Sequence, residues 1–238
     1  MKPAPASYSS VPDSRIRWAP LRGRLLNLLV SPGDVFAEVI ATRHAPANWL
    51  LPILLNCFAA IVLWSAAADC SSSAGWTKAE ASSAHSSASL SAAAHPAGAR
   101  LAGAVAIVVI TFAGTFWSAL VMWLIGRLCL RTHCSFPKAV EIAGLTTVIL
   151  VLETVVTLLL VLATDDGSAR PALSLLVGKF NPASKAHQAL AAMNLFHLWM
   201  AAVLSIGLAK LSEVSVGQAA VWVFGYWIVL RVALIGLA

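Results

Sequence analysis

Five stretches of this chain are each long and apolar enough to cross a bilayer as a helix, which removes most of the folds open to a 238-residue polypeptide. A hydrocarbon core takes about 20 residues of α-helix. The runs are Trp49 to Ala68, Leu101 to Gly126, Ala139 to Ala163, Met193 to Leu211 and Val216 to Leu237, the fourth being the weakest. None shows the short alternating segments of an outer-membrane barrel, so the spans are expected to be helices, which satisfy their own backbone groups in lipid. Composition agrees: charged residues make up 11% of the chain, against about 25% in an ordinary globular domain. The sequence therefore predicts an all-α fold, a polytopic membrane bundle of five transmembrane helices over residues 49–238. An N-terminal cytoplasmic amphipathic helix is expected ahead of it.

The formal net charge of +6 serves topology better than it serves nucleic-acid binding. The cations are spread between apolar blocks and form no basic stripe with interleaved aromatics. Lys2, Arg15, Arg17, Arg22, Arg24 and Arg43 precede the first span, and Arg127, Arg131 and Lys138 lie between the second and third. The positive-inside rule places both groups in the cytoplasm. The N-terminus is then inside and, with five spans, the C-terminus is outside. If the fourth span failed to insert, Lys210 would move and the C-terminus would change sides.

Residues 1–14, rich in Pro, Ser and Ala, read as a disordered tail. The apolar stretch LLNLLV is too short for the core of a signal peptide, so the first span is expected to act as the insertion signal. The external loop 69–100 is dominated by Ser and Ala, and flexibility is its default. Its His85 and His95 are too few for a metal site, which needs three or four convergent ligands. The loop 164–192 carries LSLLVGKF and SKAHQALAAM, apolar enough to lie on the membrane or fold back over the bundle, with Asn194 placed to cap the fourth span. Cys57 and Cys70 have no partner across the membrane, and Cys129 and Cys134 around His133 match no zinc or redox spacing, so neither a disulfide nor a metal is expected.

Ionisable groups within spans are costly, about 2.5 to 3.5 kcal/mol each at a helix centre on insertion scales. Glu153 and Arg231 are the two that stand out. At 1.5 Å per residue they lie ~21 Å and ~22 Å from the inner ends of their helices, at one depth. Two readings follow: an intramembrane ion pair, or an Arg231 that snorkels to the outer headgroups with Glu153 protonated or hydrated. Catalysis is not expected. Ser118, Ser205 and His197 are present, but no G-x-S-x-G or H-E-x-x-H spacing frames them and no phosphate-binding loop is visible, so neither a catalytic set nor a cofactor is implied.

Residues 15–48 form an interfacial segment. Ser31 can cap, Pro32 fits the first helical position and Asp34 suits the first turn, while Val35, Phe36, Val39 and Ile40 share a face. A second apolar patch from Leu25 to Val30 precedes it beside Arg15, Arg17, Arg22, Arg24 and Trp18. Such a segment suits either anionic headgroups or the underside of its own bundle.

The order RLLNLLVSPGDVFAEV, then APANWLLPILL, then NLFHLWMAAVLSIGLAKLSEVS resembles the YIP family of five-span membrane proteins, named for Ypt/Rab-interacting proteins, and its bacterial branch most. The positions that carry the likeness are Leu26, Ser31, Pro32, Phe36, Trp49 and Pro52, then Phe196, Trp199, Leu204, Ile206, Gly207, Leu208 and Lys210. The resemblance implies a cytosolic N-terminus, a five-helix bundle and, in eukaryotic relatives, trafficking roles with Rab GTPases. Here the D-L-x-G-P signature is absent and Gly144-Leu145 is followed by no proline, which argues against a Rab partner. The expected function is a non-enzymatic scaffold in a bacterial inner membrane that binds lipid, membrane-protein partners or a second copy. The alternative is a small-solute transporter or channel using Glu153 and Arg231.

Overall fold

The structure is a computed structural model that describes residues 21–81, 97–164, 169–173 and 184–237. It is helical throughout the membrane region, with eight α-helices among the described residues. Two short ones come first, α1 (Leu21–Val30) and α2 (Pro32–Ala41). Then follow α3 (Ala47–Ala81), α4 (Ala97–Leu124), α5 (Phe136–Thr164), α6 (Lys185–Ala192), α7 (Leu195–Ser212) and α8 (Val216–Leu237). Five of them, α3, α4, α5, α7 and α8, are long and apolar enough to cross a membrane.

Several boundaries differ from the sequence reading. The amphipathic segment is two helices, broken at Ser31, whose N–H still reaches the Asn27 carbonyl at 2.6 Å. Ser31 occupies the cap position of α2, but its side chain makes no capping bond; its carbonyl instead accepts from Asp34 N at 3.2 Å. α3 runs on to Ala81, where a loop is expected from Asp69. The second span ends in a π-helical turn, Ile125–Cys129, that carries the apolar run past Gly126 to a left-handed Arg131 (φ 53°). The tail 1–14, most of the Ser/Ala-rich loop with His85 and His95, and residues 174–183 lie outside the described residues.

α5 is the central post. It packs against α3, α4 and α7, and against the N-terminal pair α1 and α2. Two glycines set these approaches. A Cβ on Gly144 would overlap the Trp49 side chain and lie 2.6 Å from its Cα, so α3 and α5 touch nearly backbone to backbone. A Cβ on Gly207 of α7 would collide with Ile142 of α5 and come within 3.3 Å of the Phe36 ring. Phe36, Leu28, Ile142, Leu145, Ile149 and Leu208 are fully buried in one apolar cluster.

The fourth span, α7, is the weakest by hydropathy and also the most enclosed of the five. Its Ser205 and Ser212 are buried against protein, which lets a less apolar helix sit within the bundle. α8 is the opposite case. It leans on α7 and α6, and among its residues only Ala219 and Val223 are buried.

Candidate functional site

Two polar clusters stand out in this apolar bundle. The first is built where α2, the α2–α3 link and the start of α5 meet. Glu141, in the second turn of α5, is completely buried. One carboxylate oxygen, Oε2, accepts from Lys138 Nζ at 2.7 Å, and the other, Oε1, from the Ala45 N–H at 2.5 Å and lies 2.9 Å from His44 Nδ1. Lys138 Nζ also donates to the carbonyls of Val39 at 2.8 Å and Thr42 at 2.9 Å. They belong to the last turn of α2 and its C-cap residue, and the Val39 carbonyl also accepts from Thr42 Oγ1 at 3.1 Å, so the lysine adds to the capping of α2 from another element. A buried carboxylate is tolerated in such a place only when paired and hydrogen-bonded on both oxygens.

Beside it, Arg24 of α1 is buried and pairs with Glu38 of α2 at 2.6 Å. Its other terminal nitrogen reaches Asn48 Oδ1 at 3.4 Å. Arg24 Nε and Asn48 Nδ2 have no described partner. Of the arginines that the sequence sets beside the apolar patch, Arg24 is thus turned inward. The apolar face of α2 follows it: Val35, Phe36 and Val39 are buried against the bundle. Leu26 and Val30 of α1 remain 68% and 84% exposed, and Ala37 and Ala41 mark the open side of α2.

The remaining motif positions take part in several separate contacts. Gly33, next to Pro32, faces Ile206 and the Lys210 stem, with 3.8 Å to each from an added Cβ. Trp49 stacks edge-on against Phe116 with ring centres 5.7 Å apart. Pro52 is buried within α3, where its missing N–H leaves the Asn48 carbonyl without its helical donor. Phe196 and Trp199 lie together near the start of α7, 6.4 Å between centres.

The second cluster lies past the midpoint of α5, beside the start of α7, and contains Glu153 and Arg231. His197 of α7 stands between them: its Nε2 is 3.5 Å from Glu153 Oε2, and its Nδ1 is 3.1 Å from Arg231 Nη2. Among the described contacts no direct Glu153–Arg231 pair occurs. The equal depth inferred from residue spacing therefore brings the two onto one imidazole. Asn194 donates to Glu153 Oε1 at 2.6 Å while its own Oδ1 accepts from Phe196 N at 2.9 Å, so one amide both caps α7 and fixes the carboxylate. The Arg231 guanidinium also lies over the Trp227 ring, 5.6 Å from its centre.

The hydroxyls that could have served as nucleophiles are engaged by their own helices. Ser118 Oγ donates to the Gly114 carbonyl at 2.9 Å and Ser205 Oγ to Ala201 at 2.7 Å, the usual state of serine in a membrane helix. Cys129 is exposed and Cys134 buried, its Sγ 3.8 Å from the Trp123 carbonyl. Among the described residues no three metal-ligating side chains come together. Sequence reasoning missed Glu141 altogether. The signal was present as Lys138 three residues before it, an i,i+3 pair at the start of a helix.

Comparison with known proteins gives one positive result. The sequence model of the Yip1 domain matches residues 26–238, nearly the whole of the described bundle and its N-terminal helices. No curated protein and no solved structure matches. With the order of helices and the motif contacts described above, the chain belongs to the Yip1 domain family and is an integral, multi-pass membrane protein.

Proposed function

We propose that this protein is a non-enzymatic scaffold of the bacterial inner membrane, with its N-terminus cytoplasmic and its C-terminus external. In this reading it holds a docked helical pair, α1 and α2, at the cytoplasmic surface for a membrane-protein partner or a second copy of itself. The positive-inside bias of residues 15–43 and 127–138 supports that orientation. The observation that carries the reading is the Glu141 cluster. A fully buried carboxylate and a lysine that caps another helix fasten α2 and the α2–α3 link to α5. Such fastening suits a surface kept in one shape, and a lid or hinge would be built from the opposite kind of contact.

The test is recovery of bound proteins from native membranes in mild detergent, with the wild-type chain beside Lys138→Met. A partner held by the wild-type chain and lost with Lys138→Met, at equal expression, supports the scaffold. A partner list unchanged by Lys138→Met argues against it.

One observation favours a second reading, a small-solute transporter. Two cavities of about 270 and 330 Å³ share Ser118, Leu150, Met200 and Leu204 as a common wall, and the first reaches Arg231 and His197. Solute flux in proteoliposomes that disappears with Glu153→Gln would favour it.

A further inference from the structure

The crevice between α4 and α8 combines an apolar floor with a guanidinium, that of Arg231, which touches no carboxylate among the described residues. Leu150 of α5 and Met200 and Leu204 of α7 form its floor, and Met122 and Val223 line its sides. At the mouth, Trp117 Nε1 donates to Tyr226 Oη at 2.6 Å, joining the two walls, and Trp227 and Arg231 complete the rim. α8 makes few contacts beyond α7, so the crevice opens sideways. In a membrane protein that direction is lipid.

Among the described residues, the guanidinium groups of Arg170 and Arg231 both lie within electrostatic range of one carboxylate, that of Glu153. Arg231 spends one nitrogen on the His197 ring and has no described carboxylate contact. Its remaining N–H groups are donors of the planar kind that suits a phosphate. Depth fits as well. Arg231 lies about 9 Å from the C-terminal end of α8, and His197 about 3 Å from the start of α7. Both are within reach of the headgroups, where tryptophan and tyrosine also concentrate.

We infer that the α4–α8 crevice binds an anionic diacyl phospholipid, its phosphate on Arg231 and one acyl chain along Leu150, Met200 and Leu204. The site lies at the end of the bundle away from the docked helices and does not depend on the scaffold reading. A neutral lipid would fill the apolar floor equally well but leave the Arg231 guanidinium unmatched, so selectivity is for charge.

The full-length protein in detergent is titrated with phosphatidylglycerol or phosphatidylcholine of the same acyl chains, and bound lipid is counted by native mass spectrometry. Phosphatidylglycerol should bind at least about tenfold tighter. Arg231→Gln should abolish the preference, while Arg231→Lys and Arg127→Gln, the latter at the other end of the bundle, keep it. Wild type without a preference, or a preference that survives in Arg231→Gln, overturns the inference. Glycerol phosphate at millimolar concentration should not displace the lipid; displacement would mean that a free phosphate is the ligand and overturn the lipid assignment. The wild-type chain is also cross-linked to a phosphatidylglycerol carrying a diazirine in its acyl chain. Adducts between 117 and 125 or 223 and 234 support the site even if Arg231→Gln fails to fold, and adducts only elsewhere refute it.

Discussion

Replacing Lys138 with methionine removes a charge from an atom that serves three acceptors. Its Nζ holds Glu141 at 2.7 Å and two α2 carbonyls at 2.8 and 2.9 Å. Methionine keeps the apolar stem, so the change isolates the ammonium. Glu141 would stay buried with only His44 and the Ala45 N–H. Stripping one partner from a buried ion pair costs about 3 to 5 kcal/mol, and these surviving contacts put the expectation near the lower limit, ~3 kcal/mol. Glu141→Gln keeps an acceptor for Ala45 but turns an amide NH2 toward Lys138, leaving its ammonium without a carboxylate, so it should cost about as much as Lys138→Met, ~3 kcal/mol. The double change Lys138→Met with Glu141→Leu leaves no buried charge and should cost clearly less than the sum of Lys138→Met and Glu141→Leu measured singly, because the penalty in each single variant is the unpaired partner. Unfolding in mixed micelles measures the global effect. Hydrogen exchange of the α2 amides measures undocking, and ~3 kcal/mol speeds exchange about a hundredfold where opening limits it. Lys138→Met within 1 kcal/mol of wild type, or strict additivity of the double variant, would refute the argument.

Gly144→Ala should destabilise by about 1 to 3 kcal/mol in the same unfolding assay, because its methyl meets the Trp49 backbone. Gly207→Ala should cost less, since Ile142 and Phe36 can shift as side chains, and Gly225→Ala, with open space around it, should be neutral or slightly stabilising. Asn194→Ala removes both the α7 cap and a hydrogen bond to Glu153 and should cost about 2 to 4 kcal/mol. Asn194→Asp keeps the cap but sets a second carboxylate against Glu153, so it should fare no better than alanine. With membrane-impermeant thiol reagents, Cys129 should label from the cytoplasmic side alone and Cys70 from outside, and Cys134 should label slowly from either side because it is buried. Labelling of Cys129 in intact cells would reverse the orientation.

The five spans were legible because hydrocarbon acts on each helix separately, whatever its neighbours are. Even the weak fourth run was found, and its weakness has a structural cause: α7 is walled in by α2, α5 and α8, so its Ser205 and Gly207 never meet lipid. Motif residues were legible as landmarks for a related reason. Phe36, Gly207 and Gly33 with Lys210 are parts of one α2–α7 contact, and a packing contact fixes residue size at each position. Glu141 was not legible. Its burial depends on Ala45 and His44, almost a hundred positions earlier in the chain, and a carboxylate near a span boundary otherwise reads as solvated. The depth argument set Glu153 and Arg231 at one level, and in the structure both lie against His197. It considered only formal charges, and so overlooked that α7, running the other way, brings His197 to that level between them. The choice between lipid and bundle for the amphipathic segment also needed tertiary contacts, since the same apolar face serves either.

The central claim, a docked α1–α2 surface that receives a partner, is tested most directly by site-specific photo-cross-linking in native membranes. The cross-linking residue is placed in turn at Ala37 and Ala41, on the open side of α2, and at Phe36, on its buried side. Discrete protein adducts at Ala37 or Ala41 that disappear with Lys138→Met, and none to other proteins at Phe36, are the predicted result. Adducts to lipid alone at Ala37 and Ala41, or partner adducts at Phe36, would contradict it.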